Sequence, residues 1–492
     1  MILTATYSIA ACLGGLAVAI LLDALAVPRA GKGRLWRGGQ GSWLLICQVM
    51  ALFGLFLTLC GSIAVSIALT LALVAVLVVA SNAKHAMLGE PLVFSDLALI
   101  GAIFRHPQFY LSAVPFWQRA AAAAVAAALL GVIAWLFVAD ATAHALGLAI
   151  LVCALALLFL SLRIGSFRRL ACEPRNEADV HRLGLTPTLM LYWRQWRRSP
   201  DPVPCPAVER HPAQDAPELV VVIQCESFAD PVELFADPAL ALPNLEQARA
   251  NAWQHGRLHV SGFGAYTMRT EYAVLFGREE EELGFRRYDP FLTALSETSY
   301  ALPARLGAGW HSAFIHPHDM RFYGRDAIMP AAGFGELVGE DRFAPPRPGE
   351  GRYVTDAAMT DEILRLAGAS QGPSLLYAVT IENHGPWAAD KATASGDLVD
   401  SYMRLVRNSD AMLQRLMAGL AKAGRPAMLV FFGDHRPSIP GATDPLGARH
   451  TPYAIVRFDA QGQLLRGENR RVDLTPAGLH HAMLDVVLGK PV

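Results

Sequence analysis

Residues 428–438 read MLVFFGDHRPS. Five apolar residues, Met428 to Phe432, stop abruptly at Gly433-Asp434-His435-Arg436. Strands buried on both faces of a parallel sheet read as continuous apolar runs, without the in-out alternation of a half-solvated strand. A carboxylate, an imidazole and a guanidinium then stand at the carboxyl end of such a strand. In open α/β sheets that is the edge where ligands bind.

Other runs repeat the pattern. ELVVVIQ (218–224), HSAFI (311–315) and SLLYAVTI (374–381) are short, apolar and rich in β-formers. Between the last of these and MLVFF, residues 400–423 carry a helical stripe of Tyr402, Leu405, Val406, Leu413, Leu416 and Leu420. Strands alternating with helices predict a mainly parallel sheet covered on both faces. Each run ends in polar residues: Cys225-Glu226-Ser227, His316-Pro317-His318-Asp319, Glu382-Asn383-His384 and Gly433-Asp434-His435. Carboxylates with an imidazole suit a divalent ion of the manganese, magnesium or zinc kind. Such an ion acts as a Lewis acid and lowers the pKa of a bound hydroxyl.

A nucleophile is expected nearby, and VSGFGAYTMRTEYAVLFG (260–277) offers one. Gly262 and Gly264 permit a tight backbone approach before the hydroxyls of Tyr266 and Thr267, and TEYAVLFG continues as an apolar helix. A hydroxyl at a helix N-terminus feels the positive end of the dipole, as does an anion beside it. Thr267 or Thr270 could equally be the helix cap. Cys225 reads as a small core residue, Arg436 as a site cation or an ion-pair partner, and Trp387 as a stacking or a packing aromatic.

The chain has 492 residues, of which 53% are hydrophobic and 17% charged. Its net charge of -1 gives no global field for nucleic acid. The apolar excess lies in the first third. Residues 43–81 contain no charge, enough for two membrane spans. Five spans are expected, at about 7–27, 43–61, 63–81, 120–139 and 145–162. No basic segment precedes Tyr7, so the first span reads as an anchor and not as a cleaved leader. The domain reading is a transmembrane part over 1–165, an arginine-rich interfacial and then Pro-rich extended linker over 166–216, and a catalytic domain over 217–492. Seven cysteines without paired spacing argue against a disulfide scaffold or a structural zinc site. Arg29, Lys32, Arg34 and Arg37 follow the first span, Lys84 and Arg105 follow the third, and Arg163, Arg168, Arg169 and Arg175 follow the fifth. The positive-inside rule would put all three segments, and the C-terminal domain with them, in the cytoplasm.

GDHRP (433–437), the ES of 226–227, the G-x-x-T-x-x-x-E of 264–271, FYGRD (322–326) and NHGPW (383–387) together resemble the lipoteichoic acid synthase branch of the sulfatase and alkaline phosphatase superfamily. The resemblance implies a five-helix membrane bundle followed by an extracytoplasmic sulfatase-like α/β domain. It implies transfer of phosphoglycerol from phosphatidylglycerol through a covalent threonine intermediate at one divalent metal, manganese first, magnesium or zinc next. It implies Glu226, Thr267, Asp434 and His435 as metal ligands and Thr267 as nucleophile, with Glu271 anchoring the register. His384 would contact phosphate or relay protons, and Arg325 would act in catalysis. His316, Tyr323, Arg325, His384 and Asp319 would contact substrate; His318 and Asp319 could serve the metal or the substrate, or equally form a turn with a surface histidine. Met268-Arg269 and the HPHD segment (316–319) are similar to Gram-negative relatives that decorate periplasmic glucans or surface polysaccharides. That puts the site on the periplasmic side of the inner membrane, against the charge rule. Phosphoethanolamine transfer, phosphoester or sulfate-ester hydrolysis, and a catalytically dead membrane assembly protein are the alternatives. A sulfatase's C/S-x-P-x-R context is not found near residue 267.

Overall fold

The structure is a computed structural model that describes residues 2–29, 37–97, 120, 124, 131, 134–347, 351–387, 397–467 and 470–490. The chain forms two compact units, Met1–Ser199 and Pro200–Val492.

The first unit is helical. Its long helices are α1 (Ile2–Ala24), α2 (Gly39–Cys60), α3 (Ile63–Leu88) and α4 (Ala141–Ser161). Among the described residues, α2, α3 and α4 are long and apolar enough to cross a membrane. The expected span at 120–139 falls largely outside the described residues, so the five-helix count is not shown. The expected turn between spans two and three is present: Gly61, at φ 67°, ends α2 in the left-handed region, and the Ser62 hydroxyl accepts from Val65 N–H to cap α3. Within the segment read as a linker, α5 (Asn176–Leu183) and α6 (Leu185–Trp196) form. Arg37 ties them to the bundle. Its guanidinium donates to Asp23 O at 3.0 Å, Ala26 O at 2.9 Å and Val180 O at 2.8 Å, carbonyls at the ends of α1 and α5. Asp23 Oδ1 in turn accepts from Leu185 N–H at 3.0 Å, at the start of α6.

The second unit is built on one mixed sheet. Its strands are β1 (Leu219–Cys225), β2 (Gln254–His259), β3 (His311–Ile315), β4 (Glu336–Val338), β5 (Ser374–Val379), β6 (Ala427–Gly433), β7 (His450–Phe458), β8 (Leu464–Leu465) and β9 (Arg470–Arg471). The order is β4-β3-β5-β1-β6-β7-β2-β9, with β8 against β7. The four strands expected from sequence, β3, β5, β1 and β6, are contiguous and parallel, and β7 runs antiparallel to both β6 and β2. Every residue of β1, β5 and β6 is buried, as continuous apolar runs require.

Helices cover the sheet. They include α7 (Pro243–Asn251), α8 (Thr267–Phe276), α9 (Arg325–Ala331), α10 (Asp356–Ala369), α11 (Leu398–Leu420) and α12 (Pro476–Leu488). The stripe on α11 faces inward: Tyr402, Val406, Leu413, Leu416 and Leu420 pack with Val221, Ile223 and Leu429. Asp397 caps this helix by accepting from Val399 N–H. Truncating Leu429 to Ala in this packed layer would cost about 2–5 kcal/mol.

Candidate metal centre

The parallel register aligns Cys225 of β1 with Gly433 of β6, so the residues that follow each strand emerge side by side. Gly433 has no substitute here, because a Cβ would lie 1.8 Å from Phe228 O. Beyond it, Glu226, Asp434 and His435 offer ligand atoms that all lie within 4.8 Å of one another, and all three residues are buried. They are the one such cluster among the described residues.

Ser227 orients the cluster. Its N–H donates to Asp434 Oδ1 at 2.8 Å and its hydroxyl donates to Glu226 Oε1 at 2.8 Å. His435 N–H also donates to Asp434 Oδ1, at 2.8 Å. One carboxylate oxygen of Asp434 is thereby fixed by two backbone amides, while the buried Oδ2 has no hydrogen-bond partner among the described residues. His435 Nδ1 lies 3.1 Å from Arg436 O, which fixes the proton there and leaves a lone pair on Nε2. That Nε2 stands 3.5 Å from Glu226 Oε1, 3.6 Å from Asp434 Oδ2 and 3.4 Å from Thr267 Oγ1.

Burial and the neighbouring Glu226 carboxylate push Asp434 up to about 7. Burial opposes the charged imidazole of His435, but Asp434 and Glu226 outweigh it and raise that pKa. Two buried carboxylates this close need a cation or a proton between them. An orphaned carboxylate oxygen, a second carboxylate, an imidazole lone pair and a hydroxyl form a donor set that fits a divalent metal.

Thr267 opens α8, with Tyr266 before it at φ 77° and making no side-chain cap. Arg269 N–H donates to Tyr266 O at 2.8 Å, which leaves the amides of Thr267 and Met268 at the helix start for an anion. Thr270 is not the cap: its hydroxyl donates to Asp434 O at 2.7 Å and pins the helix to the tip of β6. All four residues expected to hold metal are thus brought together.

The other expected residues fare differently. Arg325 is 1% exposed, and its guanidinium is gripped by Glu271, Nε to Oε1 at 2.9 Å and Nη2 to Oε2 at 2.5 Å. The pair links α8, one turn below Thr267, to the start of α9, so Arg325 is anchored by a carboxylate of its own chain. Tyr323 adopts φ 60° and lies under the Arg325 guanidinium, 5.2 Å from its ring centre. Asp319 turns back to form an ion pair with Arg321, which holds its carboxyl below the usual range. His316 is buried, with Nδ1 3.0 Å from Val379 O, and burial followed by the Arg325 charge depresses its pKa. It presents a neutral Nε2. His318 lies beside it, 6.1 Å between ring centres. His384 is exposed, and its Nδ1 lies 2.7 Å from Gly385 O, again leaving Nε2 for chemistry.

The remaining residues at the strand tips take supporting places. Asn383 donates to Glu226 O at 3.2 Å and Ser227 O at 3.3 Å, and Trp387 Nε1 donates to Asn383 Oδ1 at 3.1 Å. Trp387 is buried edge-on against Tyr402, so it packs and does not stack on a ligand. Arg436 donates Nε to His450 O at 2.8 Å and leaves the cluster. Cys225 is a buried core thiol whose pKa burial raises. Glu382, at the tip of β5, caps the start of α10 by accepting from Asp356 N–H at 2.7 Å.

Residues 218–484 match the family model described as Sulfatase. Over 443 residues, 82% of this chain and 79% of the relative, the sequence is 29% identical to the capsular polysaccharide biosynthesis protein RkpI of Rhizobium meliloti (strain 1021). Among solved structures, the Streptococcus pyogenes phosphoglycerol transferase GacH in complex with sn-glycerol-1-phosphate gives a TM-score of 0.45 at 16% identity, covering 57% of this chain and 77% of that one. The lipooligosaccharide phosphoethanolamine transferase EptA of Neisseria meningitidis gives 0.43 at 14% identity, covering 71% and 69%.

Proposed function

The chain belongs to the sulfatase family, and from that premise we propose that it is a membrane-anchored phosphoglycerol transferase of the lipoteichoic acid synthase type. It takes sn-glycerol-1-phosphate from phosphatidylglycerol and gives it to a periplasmic glucan or surface polysaccharide. The observation that carries the reading is the meeting of a helix-N-terminal threonine hydroxyl with Glu226, Asp434 and His435 in one buried cluster. The 29% identity to a capsular polysaccharide biosynthesis protein over most of both chains supports a glycan acceptor.

Glu226, Thr267, Asp434 and His435 would hold the metal, manganese by preference. When bound, it would supply Lewis acidity to a phosphate oxygen and lower the pKa of the Thr267 hydroxyl. Thr267 Oγ attacks phosphorus and the bond to the diacylglycerol oxygen breaks. The threonine proton ends on the departing diacylglycerol, carried by His384, an exposed histidine after β5. In the second displacement an acceptor hydroxyl attacks the phosphothreonine and its proton returns to Thr267. Splitting one displacement into two lets a lipid donor leave before a glycan arrives. The amides of Thr267 and Met268 at the start of α8 stabilise charge on the equatorial oxygens. His316, neutral by burial with its proton on Nδ1, accepts a hydrogen bond at Nε2 from a glycerol hydroxyl. Arg325 acts through Glu271 and Tyr323 by holding the wall of the site.

Sidedness follows from the same reading, with the catalytic unit in the periplasm. Arg37, one of the charges that argued otherwise, is buried and spent on carbonyl caps. It is no longer an interfacial charge to be counted.

The test uses purified protein, labelled phosphatidylglycerol and Mn²⁺. Diacylglycerol release that disappears in Thr267→Ala supports the proposal. Equal activity in the variant, or release from phosphatidylethanolamine in place of phosphatidylglycerol, overturns it.

A further inference from the structure

Away from the metal cluster, a groove of about 690 Å³ opens between β2 and β9 on one side and the segment 230–250 on the other. That volume is within the range of small-molecule and cofactor sites, about 300–1,000 Å³. Three guanidinium groups, of Arg249, Arg257 and Arg471, face three carboxylates, of Asp230, Glu233 and Glu246. The balance is three positive against three negative, so the groove has no net preference for a polyanion.

The charged groups are held in place by one another. Arg249 pairs with Asp230 at 2.7 Å and with Glu246 at 2.6 Å, and Arg257 pairs with Glu233 at 2.9 Å. Arg471 and His255 form no ion pair or side-chain hydrogen bond among the described residues. Burial, then the charges of Arg249 and Arg471, keep His255 neutral, so its ring offers one donor and one acceptor. Among the described residues, no Phe, Tyr or Trp lines the groove. Recognition would therefore rest on hydrogen bonds from fixed, planar donors and acceptors.

A chain of contacts links the groove wall to the sheet edge that carries the cluster. β2 and β6 both run antiparallel to β7, so their carboxyl ends lie at the same side of the sheet, and His259 is level with His450. Glu233 in the groove wall contacts His450 Nε2 at 2.6 Å, and His450 Nε2 lies 2.8 Å from Arg436, the residue after His435.

We infer that this groove binds the acceptor, and that the acceptor is a neutral, hydroxyl-rich oligosaccharide. The inference deepens the transferase reading and rests on it for the word acceptor. The glycan lies along β2 and directs one hydroxyl over the sheet edge towards Thr267.

The test titrates full-length protein in phosphatidylcholine nanodiscs with two probes, a neutral β-1,3-glucan hexaose and an oligogalacturonate hexamer. Ala250→Trp fills the groove from α7 and Arg471→Ala removes an exposed donor. Each is expected to weaken hexaose binding by about tenfold. With phosphatidylglycerol and Mn²⁺ present, both shift the partition of phosphoglycerol from hexaose towards water. The inference is overturned if the wild type does not bind the hexaose, if neither variant weakens binding, or if the oligogalacturonate binds as tightly. Binding is measured without donor, so the groove is judged even where phosphatidylglycerol is not cleaved and the transferase reading falls.

Discussion

The Glu271–Arg325 pair gives a sharp prediction. Both side chains are at most 2% exposed, and two parallel hydrogen bonds join them. Burial alone would lower the arginine's pKa, and the Glu271 charge more than offsets it. Glu271→Gln keeps the shape and removes the charge, leaving a guanidinium buried without its counterion. Breaking one side of such a pair costs about 3–5 kcal/mol. At about 2–4 °C per kcal/mol for a unit of this size, the melting temperature should fall by about 6–20 °C. The transition to follow is that of the unit holding the site, Pro200–Val492. Replacing both partners, as Glu271→Leu with Arg325→Met, should recover most of the loss, because no charge is then stranded. A Glu271→Gln protein melting within about 2 °C of wild type would refute the reasoning. So would a double variant no more stable than the single one.

Other consequences can be measured independently. Ser227→Gly removes the hydroxyl that orients Glu226 while relieving a left-handed backbone at φ 50°. Metal affinity by calorimetry should drop about 10–100-fold with the metal-free melting temperature maintained, and unchanged affinity would deny Ser227 its orienting role. Wild-type protein at 100 times the metal Kd should gain about 2.7 kcal/mol of stability. Asp434→Ala should gain almost none, and an equal gain would place the metal elsewhere. His480 is buried, with Nδ1 2.9 Å from Val274 O near the end of α8, and burial depresses its pKa to about 3. Its folded pKa lies below the unfolded value, so its contribution is complete above about pH 6.5 and is lost as pH falls towards 3. Between those limits wild type should lose about 1.4 kcal/mol per pH unit more than His480→Gln, as read from denaturant midpoints. Parallel pH profiles would contradict this.

The half of the sheet that builds the site was legible because physics leaves few readings of it. A run such as LVVVIQC has to be buried on both faces, and a polar tip after such a run has to emerge at the ligand edge. β2 and β7 gave no comparable signal. QHGRLH is polar to the eye, since only Gln254, Gly256 and Leu258 face inward, and HTPYAIVRF begins with a histidine and a proline. Thr267 could be placed on a helix N-terminus, but its freedom from capping depended on Thr270 bonding Asp434 O, a contact across 164 residues. Arg325 shows the limit most clearly. A guanidinium in FYGRD invites a phosphate, and only the fold brings Glu271, 54 residues away, to meet it. Asp319 likewise found its partner two residues along the chain, in Arg321.

The order in which the cluster's members leave the ribosome has a consequence for how the protein is made. Glu226 and Thr267 are synthesised well before Asp434 and His435, and β6 must slide in beside β1 before the last two arrive. Until then only two of the cluster's four residues, Glu226 and Thr267, are in place, too few to complete a coordination sphere. A metal held by this cluster would thereby be captured only once the domain is finished.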